Sequence, residues 1–135
     1  LDTIQALVLL RKLEIFDKEI NSRNKVARFY NNNLSDILQT PVIKTNRSSA
    51  WAQYTISVNN RIDLQATLKK SGIPTSVHYP IPLHLQECFE YLNYRQGDFP
   101  IAEKASKEVI SLPMNSFLTN DEIKYIAFTV REKVN

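Results

Sequence analysis

From Asp2 to about Leu38 the chain has neither glycine nor proline, and Leu9, Leu13, Phe16, Ile20, Ala27 and Leu34 recur at close to helical spacing. That pattern predicts one long helix, with a kink or break near Asn21 to Asn24. A helix of about 35 residues rising about 1.5 Å per residue would exceed about 50 Å, more than the diameter of a domain of this size. Part of it is therefore expected to pack on something outside these residues. Ile4, Leu7, Val8, Leu9 and Leu10 fall on nearly every side of its first turns, which suits burial at a domain or subunit junction.

Asn31 to Asn33, Pro41 and the polar run Thr45 to Ser49 punctuate the exit, and then the period changes. Between Trp51 and Val58, the residues Ala52, Tyr54, Ile56 and Val58 alternate with Trp51, Gln53, Thr55 and Ser57, the period of a half-buried strand. A short helix follows, with Asn60 as N-cap, Ile62, Leu64 and Leu68 on its packing side, and Gly72 at its end. Thr75 to Tyr79 reads as a second strand closed by Pro80-Ile81-Pro82, a rigid extended segment poor in donors. His84 to Leu92 reads as a helix, Arg95 to Asp98 as a turn, Pro100 to about Glu108 as a helix, and Ile110 to Leu112 as a short third strand. Thr119 with Glu122 forms a capping box ahead of Ile123, Ile126, Ala127 and Val130 in a last helix. The expected fold is α+β: a long N-terminal helix and a small, mainly antiparallel sheet covered by helices on one face.

With 135 residues, 43% hydrophobic and 23% charged, the chain fits one ordinary domain. Only Gly72 and Gly97 are glycines, which excludes the clustered glycines of a phosphate-cradling loop or dinucleotide fingerprint. The chain opens at Leu1, inside what reads as a helix, so a piece of a longer protein is expected. Its net charge of +3 is spread along the sequence, which argues against a nucleic-acid face. The most apolar run, Ala6 to Leu10, is far short of the roughly 20 residues that span a bilayer, so no membrane segment is expected. The single cysteine, Cys88, cannot form an internal disulfide and lacks the neighbours of a zinc site; a reducing, cytoplasmic setting fits, with no metal.

The two histidines, His78 and His84, flank the proline segment, and His78-Tyr79 places two hydrogen-bonding, titratable side chains at a strand end on a rigid loop. Along an undistorted strand the two would point to opposite faces. A serine nucleophile would need a strained glycine elbow, which is missing. His84 and Cys88 stand four apart and could imitate a cysteine-histidine dyad, although a half-buried packing cysteine is the plainer reading. Asp98, Glu103, Asp121 and Glu122 sit at helix N-termini, where capping and the helix dipole account for them. Trp51, Gln53 and Tyr54 form an aromatic strand entry suited to a core or an interface. No catalytic residue emerges from these residues alone.

Several strings together resemble one family: Leu1-Asp2-Thr3-Ile4-Gln5-Ala6, Lys12 to Phe16, Trp51 to Ile56, Gly72 through His78-Tyr79-Pro80 to Gln86, and Ser111-Leu112-Pro113-Met114. The chain is similar to the C-terminal small domain of the DegT/DnrJ/EryC1/StrS nucleotide-sugar aminotransferases, pyridoxal-phosphate enzymes of the aspartate-aminotransferase fold. Within them it most resembles enzymes that aminate C3 of a UDP-linked keto-hexuronic acid for bacterial surface polysaccharide. The resemblance implies residues 1–38 as an interdomain helix, residues 39–135 as an α/β sandwich, and a large cofactor-binding domain upstream. It implies pyridoxal phosphate in the full-length homodimer, with glutamate as amino donor and a keto-sugar nucleotide as acceptor. No cofactor would bind this chain alone, because the lysine that carries it lies upstream and none of the ten lysines here matches its motif. His78 and Tyr79 match the family's histidine-tyrosine pair at the sugar-nucleotide end of the site, and His84 is a further candidate substrate contact. After Met114 the family usually has histidine and proline, whereas Asn115 and Ser116 stand here. The competing expectation is a stand-alone regulatory or ligand-binding module.

Overall fold

A computed structural model describes residues 2–134. Helix α1 spans Thr3–Leu34, 32 residues. Asp2 caps it, its carboxylate accepting from the Gln5 backbone N–H at 2.9 Å. The helix runs unbroken through Asn21 to Asn24, so the break expected there does not occur. Among the described residues none before Val26 is buried, and the anchoring positions are Val26, Ala27, Tyr30 and Leu34 in its last turns. At about 1.5 Å per residue the helix is about 48 Å long, and most of that length stands clear of the packed body. The stripe of Leu9, Leu13 and Phe16 that announces the helix in the sequence is exposed.

Strand β1 is Tyr54–Ser57 and strand β2 is Val109–Leu112, paired antiparallel in the register Tyr54 with Leu112 and Ile56 with Ile110. β1 is shorter than the expected run because the chain enters it through Trp51 in the left-handed region, at φ 49°. A bulky side chain is strained there. Three contacts hold it: Arg23 donates to the Trp51 carbonyl at 2.9 Å, Trp51 Nε1 donates to Asn24 Oδ1 at 2.8 Å, and the Trp51 N–H donates to Ser49 Oγ at 3.1 Å. Trp51 is buried and Ala52 is exposed, the reverse of the simple alternation.

The expected strand at Thr75 to Tyr79 is reduced to one bridge, Ser76 with Ser111. Pro74 and Pro80 remove two of the donors a ladder would need. On the other edge, Gln39 bridges Ser57 in the same way. Among the described residues the sheet proper therefore has two strands rather than three.

Helix α2, Arg61–Lys70, buries Leu64 and Leu68, while Ile62 is 71% exposed and off the expected packing face. Asn60 makes no side-chain bond to the helix backbone; its amide donates to Asp63 instead. The helix ends in a Schellman motif, with Gly72 at φ 73°, the Ile73 N–H donating to Leu68 O at 2.9 Å and the Gly72 N–H to Lys69 O at 3.1 Å.

The expected helix from His84 to Leu92 is two short 3₁₀ turns, Leu83–Leu85 and Glu87–Leu92. Helix α3, Pro100–Glu108, starts with proline in its first turn, and α4 spans Asn120–Val134. The capping box forms as expected: the Thr119 N–H donates to Glu122 Oε2 at 2.8 Å and the Glu122 N–H to Thr119 Oγ1 at 3.3 Å.

The core gathers Tyr30 and Leu34 from α1, Tyr54 and Ile56 from β1, Leu68 from α2, Ile110 from β2 and Val130 from α4. The Tyr30 and Tyr54 rings lie 5.0 Å apart, and Tyr30 donates its hydroxyl to Pro113 O at 3.0 Å. Arg131 clamps α4 to the exit of α1, reaching Asn33 O and both oxygens of Asp36. Among the described residues no helix is long and apolar enough to cross a membrane.

Candidate functional site

The proline segment lies between two anchors. At its start, His78 Nδ1 stands 3.3 Å from Ser111 Oγ, and that hydroxyl is 2.8 Å from Thr55 Oγ1. The serine belongs to β2 and the threonine sits opposite it in β1, so the imidazole rests on the sheet. The peptide between His78 and Tyr79 is cis, and the two rings meet edge-on at 5.6 Å rather than parting to opposite faces. Tyr79 is 70% exposed and His78 is exposed.

At the far end, His84 Nε2 lies 3.1 Å from Glu103 Oε1. That oxygen also accepts from the Gly97 N–H at 2.7 Å and from the Phe99 N–H at 3.4 Å. Glu103 is buried, and the Gly97 N–H, followed by the His84 and Phe99 contacts, holds its carboxyl below the ordinary carboxylate range against the opposing effect of burial. The residue thus does more than complement a helix dipole. The His84 ring is held through Nε2 and packs on Phe99 at 4.8 Å, which makes it an anchor of the loop. Beside it Leu83, Phe89, Leu92, Tyr94 and Phe99 wall a shallow apolar hollow of about 300 Å³. A larger hollow, about 520 Å³, lies along α2 at Asn59, Asp63 and Thr67 and includes none of His78, Tyr79 and His84.

The structure therefore brings His78 and Tyr79 together at an exposed surface and turns His84 inward. Sequence reasoning did not find Ser111, Thr55 or the link from His84 to Glu103. Their one signal is a hydroxyl at a strand position that turned out to be buried. Cys88 is exposed in a different 3₁₀ turn from His84, with Gln86 as its hydrogen-bond partner, so neither a dyad nor a half-buried packing role is formed. Among the described residues no cluster of three or more His, Cys, Asp or Glu side chains is placed to hold a metal ion.

The sequence profile of the DegT/DnrJ/EryC1/StrS aminotransferase family matches residues 1–131. The chain belongs to that family. It is 46% identical over 127 residues to the UDP-2-acetamido-2-deoxy-3-oxo-D-glucuronate aminotransferase of Pseudomonas aeruginosa, covering 93% of this chain and 34% of that protein. It is 40% identical over 136 residues to a protein of Geobacillus stearothermophilus named pleiotropic regulatory protein, covering 98% of this chain and 37% of that one. The crystal structure of a DegT/DnrJ/EryC1/StrS aminotransferase from Brucella abortus superposes with a TM-score of 0.93 at 38% identity, covering 100% of this chain and 36% of the other. The chain thus spans about a third of the length of the relatives it matches.

Aminotransferases of the DegT/DnrJ/EryC1/StrS family use pyridoxal phosphate. A lysine that forms a Schiff base is activated by a desolvating pocket or by a neighbouring cation. All ten lysines of this chain are exposed, and its two glycines stand singly, Gly72 at the end of α2 and Gly97 ahead of α3 with its N–H already given to Glu103. The described residues do not fit the cofactor. What they build is a polar, exposed pair on a doubly anchored loop.

Proposed function

We propose that this chain is the small C-terminal domain of a pyridoxal-phosphate aminotransferase that takes an amino group from glutamate to a UDP-linked 3-keto-hexuronic acid for surface polysaccharide. The observation that carries the reading is the His78 and Tyr79 pair. Two side chains with hydrogen-bonding tips stand exposed on a loop that the Ser111 and Glu103 anchors keep from collapsing. Such a pair suits the hydroxyl, carboxylate and phosphate oxygens of a sugar nucleotide. In this reading His78 and Tyr79 bind and orient the acceptor, His84 holds the loop, and the cofactor with its lysine belongs to a preceding domain. The exposed apolar turns of α1 would join that domain, in a homodimer. The 46% identity to a UDP-3-keto-glucuronate aminotransferase supports the choice of acceptor.

The test uses the polypeptide that joins this chain to its cofactor-bearing domain. Supplied with pyridoxal phosphate, glutamate and the UDP-3-keto-hexuronic acid, it is expected to yield the 3-amino sugar and 2-oxoglutarate in equal amounts. Cofactor binding without turnover of any keto-sugar nucleotide would refute the reading. The 135-residue chain alone, treated with pyridoxal phosphate and borohydride, is expected to trap no cofactor at a single lysine.

A second reading has one observation in its favour, the relative at 40% identity that is named for regulation. It predicts a polypeptide that binds the sugar nucleotide and does not transaminate it.

A further inference from the structure

The sheet has two unlike faces. Tyr54, Ile56, Ile110 and Leu112 point into the core, and the alternation of a strand sends Thr55 and Ser111 to the other side. Ser111 is only 6% exposed, because the segment at Ser76 to His78 lies over it. A buried strand position would ordinarily take an apolar side chain, and a hydroxyl there is tolerated only with its hydrogen bonds made. The partners of Ser111 Oγ are Thr55 Oγ1 at 2.8 Å and His78 Nδ1 at 3.3 Å. Its backbone is committed to the same covering segment, with the Ser111 N–H donating to Ser76 O at 2.8 Å and the Ser76 N–H donating to Ser111 O at 3.2 Å. One residue thus fixes both the main chain leading to His78 and the ring of His78 itself.

Counting hydrogens gives this chain of contacts a direction. Each hydroxyl has one hydrogen to donate, and a neutral imidazole has one on either nitrogen. If His78 Nδ1–H donated to Ser111 and Ser111 to Thr55, the Thr55 hydroxyl would have no acceptor among the described residues and would need a water at a half-buried position. If Thr55 donates to Ser111 and Ser111 to Nδ1, both hydroxyl hydrogens are used. The one left over is then Nε2–H on the exposed ring, where a ligand or water can accept it.

We infer that Ser111, backed by Thr55, is a positioning residue for His78: the two hydroxyls hold the imidazole in the tautomer with Nδ1 as acceptor and so present Nε2–H as a donor to an acceptor oxygen of the sugar nucleotide. The inference rests on the reading of His78 as a substrate contact. Neither hydroxyl touches the substrate in this scheme.

The experiment is a double-mutant cycle in the cofactor-loaded polypeptide. Ser111→Ala is expected to raise the KM for the keto-sugar about two- to tenfold, the span a neutral hydrogen bond carries, while the glutamate half-reaction stays within about twofold. Placed on His78→Ala, the same change is expected to add nothing further. Losses that add in the double variant, or that fall equally on both half-reactions, would overturn the role of Ser111. A His78→Ala enzyme with unaltered keto-sugar kinetics would instead overturn the reading of His78 beneath it. A readout independent of activity is ¹⁵N NMR of the histidine rings. The His78 signals are expected to report Nε2 protonated and Nδ1 bare, and Ser111→Ala to give a tautomer mixture. A protonated Nδ1 in the unsubstituted protein would contradict the assignment.

Discussion

His84 and Glu103, 19 residues apart in sequence, meet at 3.1 Å through Nε2 and Oε1, and the same carboxylate oxygen takes the backbone N–H groups of Gly97 and Phe99. One buried side chain thereby ties the end of the proline segment, the Arg95 to Asp98 turn and the start of α3. Glu103→Ala is expected to lower the melting temperature more than Glu103→Gln, whose amide oxygen can still accept part of the set. The folded carboxyl sits below its ordinary value of 4.5, so its contribution is complete above that value and is lost as the pH falls through the lower folded one. Melting curves between about pH 7 and pH 3 should show the gap between wild type and Glu103→Gln closing on the acid side. A gap that widens there would contradict the assignment.

Tyr30 tests the core. Its ring is fully buried and its hydroxyl donates to Pro113 O at 3.0 Å. Tyr30→Phe leaves that carbonyl without its partner and is expected to cost about 1 to 2 kcal/mol in urea unfolding. Burial, and then the neighbouring Tyr54, push the Tyr30 phenol well above its usual value of 10.0. Its contribution is therefore present below about pH 10 and lost as the pH rises past it, so Tyr30→Phe should soften the alkaline limb of the stability profile.

The first turns of α1 give the opposite expectation. Ile4 is 76% exposed and Leu10 is 60% exposed, and neither supports the packed body of this chain. Leu7→Glu with Leu10→Lys should change the melting temperature of the 135-residue chain by no more than the equivalent of about 0.5 kcal/mol, while reducing self-association in sedimentation. A cooperative loss of stability would mean that these turns belong to the core.

What the sequence made legible was local. Thr119 and Glu122 cap α4 because the signal and the bond lie three residues apart, and Pro100 marks the start of α3 for the same reason. Leu68, Gly72 and Ile73 end α2 through contacts within five residues. Reading failed where tertiary contacts decide. Thr75 to Tyr79 reads as a strand, yet its flanking prolines leave it one bridge to Ser111. Trp51 enters β1 with a positive φ that Arg23 and Asn24, more than 25 residues earlier, help to hold alongside the local Ser49. The candidate site was half legible. His78, Tyr79 and His84 stand out by residue type beside the prolines, but the inward turn of His84 depends on Glu103, which local reasoning assigns to a helix N-terminus.

On the proposed reading this chain serves the sugar-nucleotide side of a transaminase. In the cofactor-loaded polypeptide, single-turnover rates for the two half-reactions can be followed separately with His78→Ala. The half-reaction consuming the keto-sugar is expected to slow by about tenfold or more, a loss of about 1.4 kcal/mol or greater, while the glutamate half-reaction stays within about twofold. Equal slowing of both, or slowing of the glutamate half-reaction alone, would contradict the reading.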